Sequence, residues 1–187
     1  MMGQIFTELL ELVEKKFGYA VVDKLLVECQ LPSKGIYTAV GVYSHEELLI
    51  LVKQLSVEVD IPVNDLIRIF GEAMFSQLIK IHPEVVINIE SSFDLLSKID
   101  GYIHVEVFKL YPSAQLPVFS YRRISDNRAE LHYQSNRPFA NFAEGLLLGC
   151  AAYFNETFEI NRTPATAHSE TDVMFEITRR PIESVHA

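Results

Sequence analysis

The segment LHYQSNRPFANFAEGLLLG, residues 131–149, contains an alternating part followed directly by an apolar part. Tyr133, Ser135 and Arg137 occupy every second position of its first part, which is the side-chain period of a β-strand. Such a strand would place three hydrogen-bond donors in one row of ~13 Å. The second part is apolar and predicts a helix from Phe139 to about Phe154. A row of donors that includes a guanidinium suits an anionic ligand with two separated acceptor groups.

More strands are predicted on both sides of this segment. PVFSYRRI and RAELHYQS alternate around the turn cluster Ser125–Asn127, and TFEINRT and DVMFEITRR follow the predicted helix. In the last of these, Val173, Phe175 and Ile177 alternate with polar residues or methionine, which favours one buried face.

The first half of the chain reads as helices. Apolar residues recur every four positions from Ile5 to Phe17, and Gly18 ends this helix before VVDKLLVEC begins another. Ser44 and Glu47 form a capping-box pattern ahead of ELLILVKQLSVEV. Pro62 opens a further helix that contains Gly71, where a bend or close packing is expected. A single helix capped by Ser91–Ser92 is predicted from Phe93 to about Tyr111.

These patterns predict one domain of the α+β class. A helical N-terminal lobe, residues 1–60, is expected to pack on a C-terminal lobe, residues 61–180, built from a small antiparallel sheet and helices. Residues 181–187 are expected to form a frayed tail. At 187 residues the chain can bury a sizeable core.

Composition excludes several classes of protein. The chain has 25 acidic against 16 basic residues, so a nucleic-acid surface or binding to an anionic membrane is disfavoured. No stretch is long and apolar enough for a transmembrane helix, and the N-terminus lacks the features of a signal peptide. Cys29 and Cys150 form no CxxC pair and favour core thiols, which fits a reducing cytoplasm. No sequence motif nominates an enzyme.

Among the six histidines, His104 has the most apolar surroundings, in DGYIHVEVFKLYP. A buried neutral imidazole is a good iron ligand. From the local context alone, however, a core histidine bonded to a carbonyl is the favoured interpretation.

The donor row and the histidine together match what a haem needs, namely an axial ligand, partners for two propionates, and apolar walls. The chain resembles the H-NOX family, the haem nitric oxide/oxygen-binding domains related to the sensor domain of soluble guanylate cyclase, in its bacterial stand-alone type. The resemblance rests on YQSNR followed by FAEGLLLG, on IHVEVFKLYPSAQLP, on the start MMGQIFTELLELVEKKFG and on FGEAMF. It covers nearly the whole chain.

The resemblance implies a role for each candidate residue. Haem b would be enclosed by the helices, with His104 as its proximal iron ligand, and Tyr133, Ser135 and Arg137 would hold the propionates. Pro117 would press on the porphyrin from the proximal side. The remaining pocket residues implied by the family are apolar: Ile5, Leu9, Met74, Leu78, Phe142 and Leu146. Gly71 and Gly145 match positions where the family's lobes hinge and pack.

The resemblance also implies which gas is bound. Family members that hold oxygen carry a tyrosine hydroxyl that points at the gas, and the matching position here is Phe142. A ferrous haem that binds nitric oxide and carbon monoxide and excludes oxygen is therefore expected. Nitric oxide would loosen the iron bond to His104, and the N-terminal lobe would then rotate.

Partners and metals follow from the same resemblance. A sensor without an output domain would act in trans on a histidine kinase or a cyclic-di-GMP enzyme, and a monomer is expected. Some relatives carry a structural zinc held by cysteines and a histidine. The matching positions are Ala140, Arg162, Ala165 and Val173, so no zinc is expected here.

Two other interpretations stay open at this point. In one, the Tyr133, Ser135 and Arg137 row grips a fatty-acid carboxylate in an apolar-ligand carrier, and His104 is a core residue. In the other, haem itself is the exchanged signal and gas is irrelevant. Haem-based catalysis is less well supported, because no histidine or arginine can be placed on the distal wall.

Overall fold

The computed structural model describes residues 1–112 and 114–181. It contains two compact units, Met1–Phe70 and a second that begins at Gly71. The boundary falls inside the helix α4, Val63–Ile81, whereas the sequence placed it near residue 60. The expected frayed tail lies outside the described residues, apart from Pro181 at the end of a strand.

The first unit is helical, as the apolar periodicity predicts. It consists of α1 (Gly3–Phe17), α2 (Tyr19–Glu28), α3 (His45–Val59) and the start of α4. Gly18 has a φ of 88°, a value that glycine adopts readily, and this lets the chain turn directly from α1 into α2. The core of the unit includes the buried side chains Phe6, Leu9, Val13, Leu25, Leu48, Leu51, Val52 and Leu55.

The predicted capping box at the start of α3 is only half formed. The Ser44 hydroxyl accepts a hydrogen bond from the Glu46 amide at 3.2 Å, so the cap itself is present. Glu47 does not reach back to Ser44. Its carboxylate is 4% exposed and accepts hydrogen bonds from the Ser33 hydroxyl and from Tyr37 Oη. A buried carboxylate needs such donors, and the loop before α3 supplies them.

The second unit contains a four-stranded antiparallel sheet in the order β1-β2-β4-β3. The strands are β1 (Val118–Arg123), β2 (Arg128–Gln134), β3 (Glu156–Pro164) and β4 (Asp172–Pro181). This architecture confirms the predicted α+β class and the predicted strands.

One face of this sheet is buried, as the alternation in β4 predicts. Val173, Phe175 and Ile177 are at most 1% exposed and share a core with Leu131 and Tyr133 of β2. The predicted helix after β2 is present as α7 (Ala140–Tyr153), which contributes the small or apolar side chains Ala143, Leu147 and Cys150 to the same core. Although α7 is strongly apolar, within residues 1–112 and 114–181 no helix has both the length and the apolar character needed to cross a membrane.

The predicted single helix from Phe93 to Tyr111 is wrong. The segment forms α5 (Ser92–Ser97), a π-helical turn (Ile99–Ile103) and α6 (His104–Leu110). The Lys98 carbonyl accepts hydrogen bonds from the amides of both Tyr102 and Ile103 at 3.0 Å, and the second of these spans five residues. This wider turn inserts a residue into the helical path, which a 3.6-residue period cannot reveal. π-Helical turns are rare and occur often at functional sites.

Gly71 permits a close approach between α4 and α7. A Cβ atom at Gly71 would lie 2.2 Å from the Phe142 carbonyl oxygen and 3.1 Å from the Gly145 Cα. The need for close packing that the sequence predicts at Gly71 is therefore met by backbone contact with α7.

We expect the substitution Gly71→Ala to lower the free energy of unfolding by about 1–3 kcal/mol, since the added methyl must push α7 away. Gly101→Ala is the matched control, because no atom beyond its own stretch of backbone lies within 4 Å of the Cβ position there. Urea unfolding of the two variants and the wild type measures the difference. Equal stability of the two variants would contradict the contact.

Candidate functional site

His104 is the first residue of α6 and follows the π-helical turn directly. Its side chain is 16% exposed, and its Nδ1 lies 2.8 Å from Oδ1 of Asp100, one helical turn earlier. This oxygen is buried and makes no hydrogen bond of good geometry within the described part of the chain. The imidazole of His104 is therefore the polar group that stabilises it. With Nδ1 facing the carboxylate, Nε2 is the nitrogen available to a ligand.

Asp100 also ties this region to the sheet. Its Oδ2 accepts a hydrogen bond from the Phe119 amide at 2.8 Å. The Phe119 ring lies 5.9 Å from the His104 ring and 5.5 Å from the Tyr133 ring, measured between centroids. Phe119 and Tyr133 face each other across β1 and β2. His104 is thus connected to Tyr133 through one aromatic ring.

Sequence reasoning missed Asp100 and Phe119. A signal for Asp100 was present, because an aspartate four residues before a histidine on a helix lies on the same face. No comparable signal existed for Phe119, whose position depends on strand pairing.

The predicted row of three donors on one strand is wrong in its geometry. Only Tyr133 lies in β2, which ends at Gln134 where that residue pairs with Asp172 of β4. Ser135 and Arg137 lie in the turn that follows. The Ser135 hydroxyl accepts a hydrogen bond from the Arg137 amide at 3.1 Å, and this local bond bends the chain away from the strand path.

The turn nevertheless brings the three residues together. Tyr133 Oη donates a hydrogen bond to the Arg137 carbonyl at 3.3 Å. The Arg137 guanidinium donates to Oε1 of Gln115 at 2.7 Å, a contact that no sequence pattern indicates. Pro117 lies two residues after Gln115, partly buried, in the stretch that leads into β1. The chain therefore gathers a phenol, a hydroxyl and a guanidinium at one end of β2.

The apolar candidates of the second unit lie on α4 and α7. Met74 and Leu78 are one turn apart on α4, and Phe142 and Leu146 are one turn apart on α7. Met74 is fully buried and the other three are partly buried. None of these side chains carries a hydrogen-bond donor.

The remaining two candidates lie on α1 in the first unit. Ile5 is partly buried, and Leu9 is buried and lines an apolar cavity of about 290 Å³ together with Val13, Val52 and Phe70. The shared pocket that the sequence predicts for Ile5, Leu9 and the apolar residues of the second unit stays a prediction.

Burial lowers the pKa of His104 below its ordinary value of 6.5, although the Asp100 carboxylate acts in the opposite direction. Well above pH 6.5 the imidazole is neutral in both the folded and the unfolded chain. Between pH 6.5 and the lower folded pKa the unfolded chain binds more protons, so the free energy of unfolding decreases as the pH falls through this window. We expect NMR titration of the haem-free protein to give this lowered pKa.

The matched control for the change in stability with pH is the variant His104→Leu in the haem-free state. Its free energy of unfolding should lose less than that of the wild type as the pH falls below 6.5. A His104 pKa at or above 6.5 would contradict the assigned burial.

The donor set fits a haem. Within residues 1–112 and 114–181, no three histidine, cysteine, aspartate or glutamate side chains are grouped as a metal site. His104 offers one imidazole nitrogen, and this suits the iron of a haem, because the porphyrin itself supplies most of the other ligands. The donors at Tyr133, Ser135 and Arg137 suit the carboxylates that a haem carries.

Comparison with known proteins supports the same assignment. Residues 2–162 match the family model described as Haem-NO-binding. No curated protein matches the sequence.

Several solved structures are similar over nearly their whole length. The H-NOX protein from Shewanella woodyi, solved bound to IWP-051 in the Fe(II)CO state, is 57% identical with a TM-score of 0.83, and covers 100% of this chain and 98% of its own. The unliganded Fe(II) H-NOX protein from K. algicida is 35% identical with a TM-score of 0.91, over 100% of both chains. An S. oneidensis H-NOX protein in the Fe(II)NO state is 28% identical with a TM-score of 0.86, over 96% and 99%.

The sequence motifs, the site around His104 and these matches agree. The chain belongs to the haem-NO-binding, or H-NOX, family.

Proposed function

We propose that this protein is a haem-based sensor, not an enzyme, that binds nitric oxide and carbon monoxide and excludes oxygen. The observation that carries the proposal is the connected set formed by His104, Asp100, Phe119 and Tyr133. It joins an imidazole with an available Nε2 to the hydrogen-bond donors gathered at the end of β2.

A bound ferrous haem b would supply an iron atom for the gas and, as the family resemblance implies, an iron–His104 bond that nitric oxide weakens. His104 would hold the iron through Nε2. Asp100 would orient the imidazole through Nδ1, as carboxylates behind metal-bound histidines do. The partly buried Pro117 would press on the porphyrin from the same side.

The helix that carries His104 is suited to move when it is released. α6 has seven residues and none of them is fully buried, and its Val105 and Phe108 are 43% and 45% exposed. Elements with few buried apolar contacts open at low free-energy cost. We infer that release of His104 frees α6 and leads to rotation of the helical N-terminal lobe, with coupling of about 1–3 kcal/mol, as is typical of such switches.

Phe142, Leu146, Met74 and Leu78 would exclude water and present no donor to the gas. Bound oxygen carries partial negative charge and gains from a hydrogen-bond donor, whereas nitric oxide and carbon monoxide gain much less. An apolar wall at these positions therefore disfavours oxygen. Ile5 and Leu9 are proposed to complete this wall.

Tyr133, Ser135 and Arg137 would bind the two propionates. We expect the substitution Arg137→Met to speed haem loss about tenfold or more, since a charge-assisted hydrogen bond contributes about 1.5–3 kcal/mol. Transfer of ferric haem to apomyoglobin measures the rate. Arg123→Met is the control, because Arg123 pairs with Asp126 in the exposed β1–β2 turn.

The comparison of these two variants separates the propionate role from a general loss of positive charge. Equal haem-loss rates in Arg137→Met, Arg123→Met and the wild type would remove Arg137 from the site.

The output of the sensor is proposed to act in trans in the cytoplasm, on a histidine kinase or a cyclic-di-GMP enzyme. The net charge of −9 favours a docking surface of positive charge on that partner. We propose a monomer without structural zinc. Gas-dependent change in the activity of a co-purified kinase or cyclic-di-GMP enzyme would test the proposed output in trans.

A further inference from the structure

The segment Ser169–Asp172, which leads into β4, contacts both sides of the turn that holds Ser135 and Arg137. The Thr171 carbonyl accepts a hydrogen bond from the Ser135 amide at 2.8 Å. The neighbouring Glu170 carbonyl accepts one from the Ala140 amide, at the start of α7, at 3.2 Å. This segment therefore fixes where the turn begins and where α7 begins.

Three side chains hold the Ser169–Asp172 segment in place. The Glu170 carboxylate accepts a hydrogen bond from Asn141 Nδ2 at 3.0 Å and lies 2.6 Å from the Arg162 guanidinium. The same guanidinium donates to Asn141 Oδ1 at 2.6 Å. Each of the three side chains thus contacts the other two, and they join β3, α7 and the segment before β4.

The surroundings make this triangle of Arg162, Asn141 and Glu170 stronger than a surface ion pair. Asn141 is 8% exposed, and the side chains of Arg162 and Glu170 are 21% and 28% exposed. Glu144 places a second carboxylate oxygen 3.8 Å from Arg162. Partly buried charge-assisted hydrogen bonds with planar geometry are among the strong ones, and removal of one partner leaves the other charge poorly compensated.

A matched exposed pair lies on the same sheet. Arg180 lies 2.7 Å from Glu159, but their side chains are 67% and 60% exposed. Pairs of this kind contribute little to stability, so Arg180 offers a control for loss of one arginine from the same strands.

We propose that Arg162 is a positioning residue for the ligand site: through Glu170 and Asn141 it fixes the donors at Ser135 and Arg137 and the first turn of α7. Phe142 lies in that first turn, so the same triangle sets where its side chain stands. The inference rests on the proposed function, because these donors and Phe142 are there assigned to a haem.

The first test follows amide hydrogen exchange by NMR in haem-loaded and haem-free protein. In Arg162→Met, amide exchange at Ser135 and Ala140 should be at least about tenfold faster. Their hydrogen bonds go to carbonyls of the Ser169–Asp172 segment, which Arg162 no longer holds in place. Exchange at Ile177, which pairs with Ile160 and not with Arg162, should change little, and Arg180→Met should leave all three amides as in the wild type.

The second test measures the haem. In Arg162→Met the resonance Raman propionate bending modes should shift, and haem loss should be about tenfold faster, as is usual when a residue that orients ligand-holding groups is removed. Arg162→Lys keeps the charge and one donor, so it should restore part of both effects. This conservative variant also covers the case in which Arg162→Met fails to fold.

The outcomes separate this inference from the proposed function. Unchanged exchange at Ser135 and Ala140 overturns the inference, and so does faster exchange with unchanged propionate modes and haem loss. Wild-type protein that takes up no haem overturns the proposed function and the haem part of the inference, while the exchange experiment still decides whether Arg162 holds the turn.

Discussion

Replacement of His104 by glycine is expected to leave the haem iron without a bond to the protein, because the proposed function assigns only one such bond, from His104. The resonance Raman band of the iron–histidine bond should vanish from the gas-free ferrous protein, and added imidazole should restore it. Without gas, the variant should also resemble the nitric oxide-bound wild type in amide exchange along α6, because α6 is then no longer tied to the haem. The effect is all or none, since a single bond is removed.

His132→Gly is the control for that substitution. His132 lies on β2 with Nε2 2.7 Å from Asp172 Oδ1, on the opposite face from Tyr133. The His132→Gly variant should keep the iron–histidine band and normal amide exchange in α6. A gas-free His104→Gly variant that matches gas-free wild type in both measurements would remove His104 from the switch.

Introduction of a hydroxyl at Phe142 is expected to change which gas is bound. In Phe142→Tyr, a donor faces the bound gas, and a hydrogen bond to a partly charged acceptor contributes about 1.5–3 kcal/mol. Oxygen affinity should therefore rise about ten- to hundredfold. The affinity is measured from the absorption spectrum of the ferrous protein at increasing oxygen pressure.

Phe142→Leu keeps the position apolar and should leave oxygen affinity near that of the wild type. If Phe142→Leu and Phe142→Tyr gain oxygen affinity equally, space and not a donor limits oxygen binding. Affinity for carbon monoxide should change little in either variant.

Local patterns predicted most elements of the fold because local physics forms them. The four-residue apolar period gave α1, the alternation of Val173, Phe175 and Ile177 gave the buried face of β4, and Gly18 marked the end of a helix. The helix from Phe93 to Tyr111 failed because its break depends on one hydrogen bond that spans five residues, and such a bond leaves no mark on periodicity.

The site was harder to predict than the fold, because its contacts join distant parts of the chain. The strand β2 ends where pairing with β4 ends, so the positions of Ser135 and Arg137 could not be read from their own alternation. Gln115 meets Arg137, and Arg162 meets Asn141, across more than 20 residues of chain. The prediction that His104 is an iron ligand came from the resemblance to a family and not from its local context.

We propose that ferrous haem held by His104 responds to nitric oxide and not to oxygen. The most direct measurement is the absorption spectrum of the reduced, haem-loaded protein under argon, then promptly in air, then with nitric oxide. We expect a five-coordinate ferrous spectrum that does not change in air and shifts on addition of nitric oxide. A stable shift in air, or a spectrum that nitric oxide leaves unchanged, would contradict it.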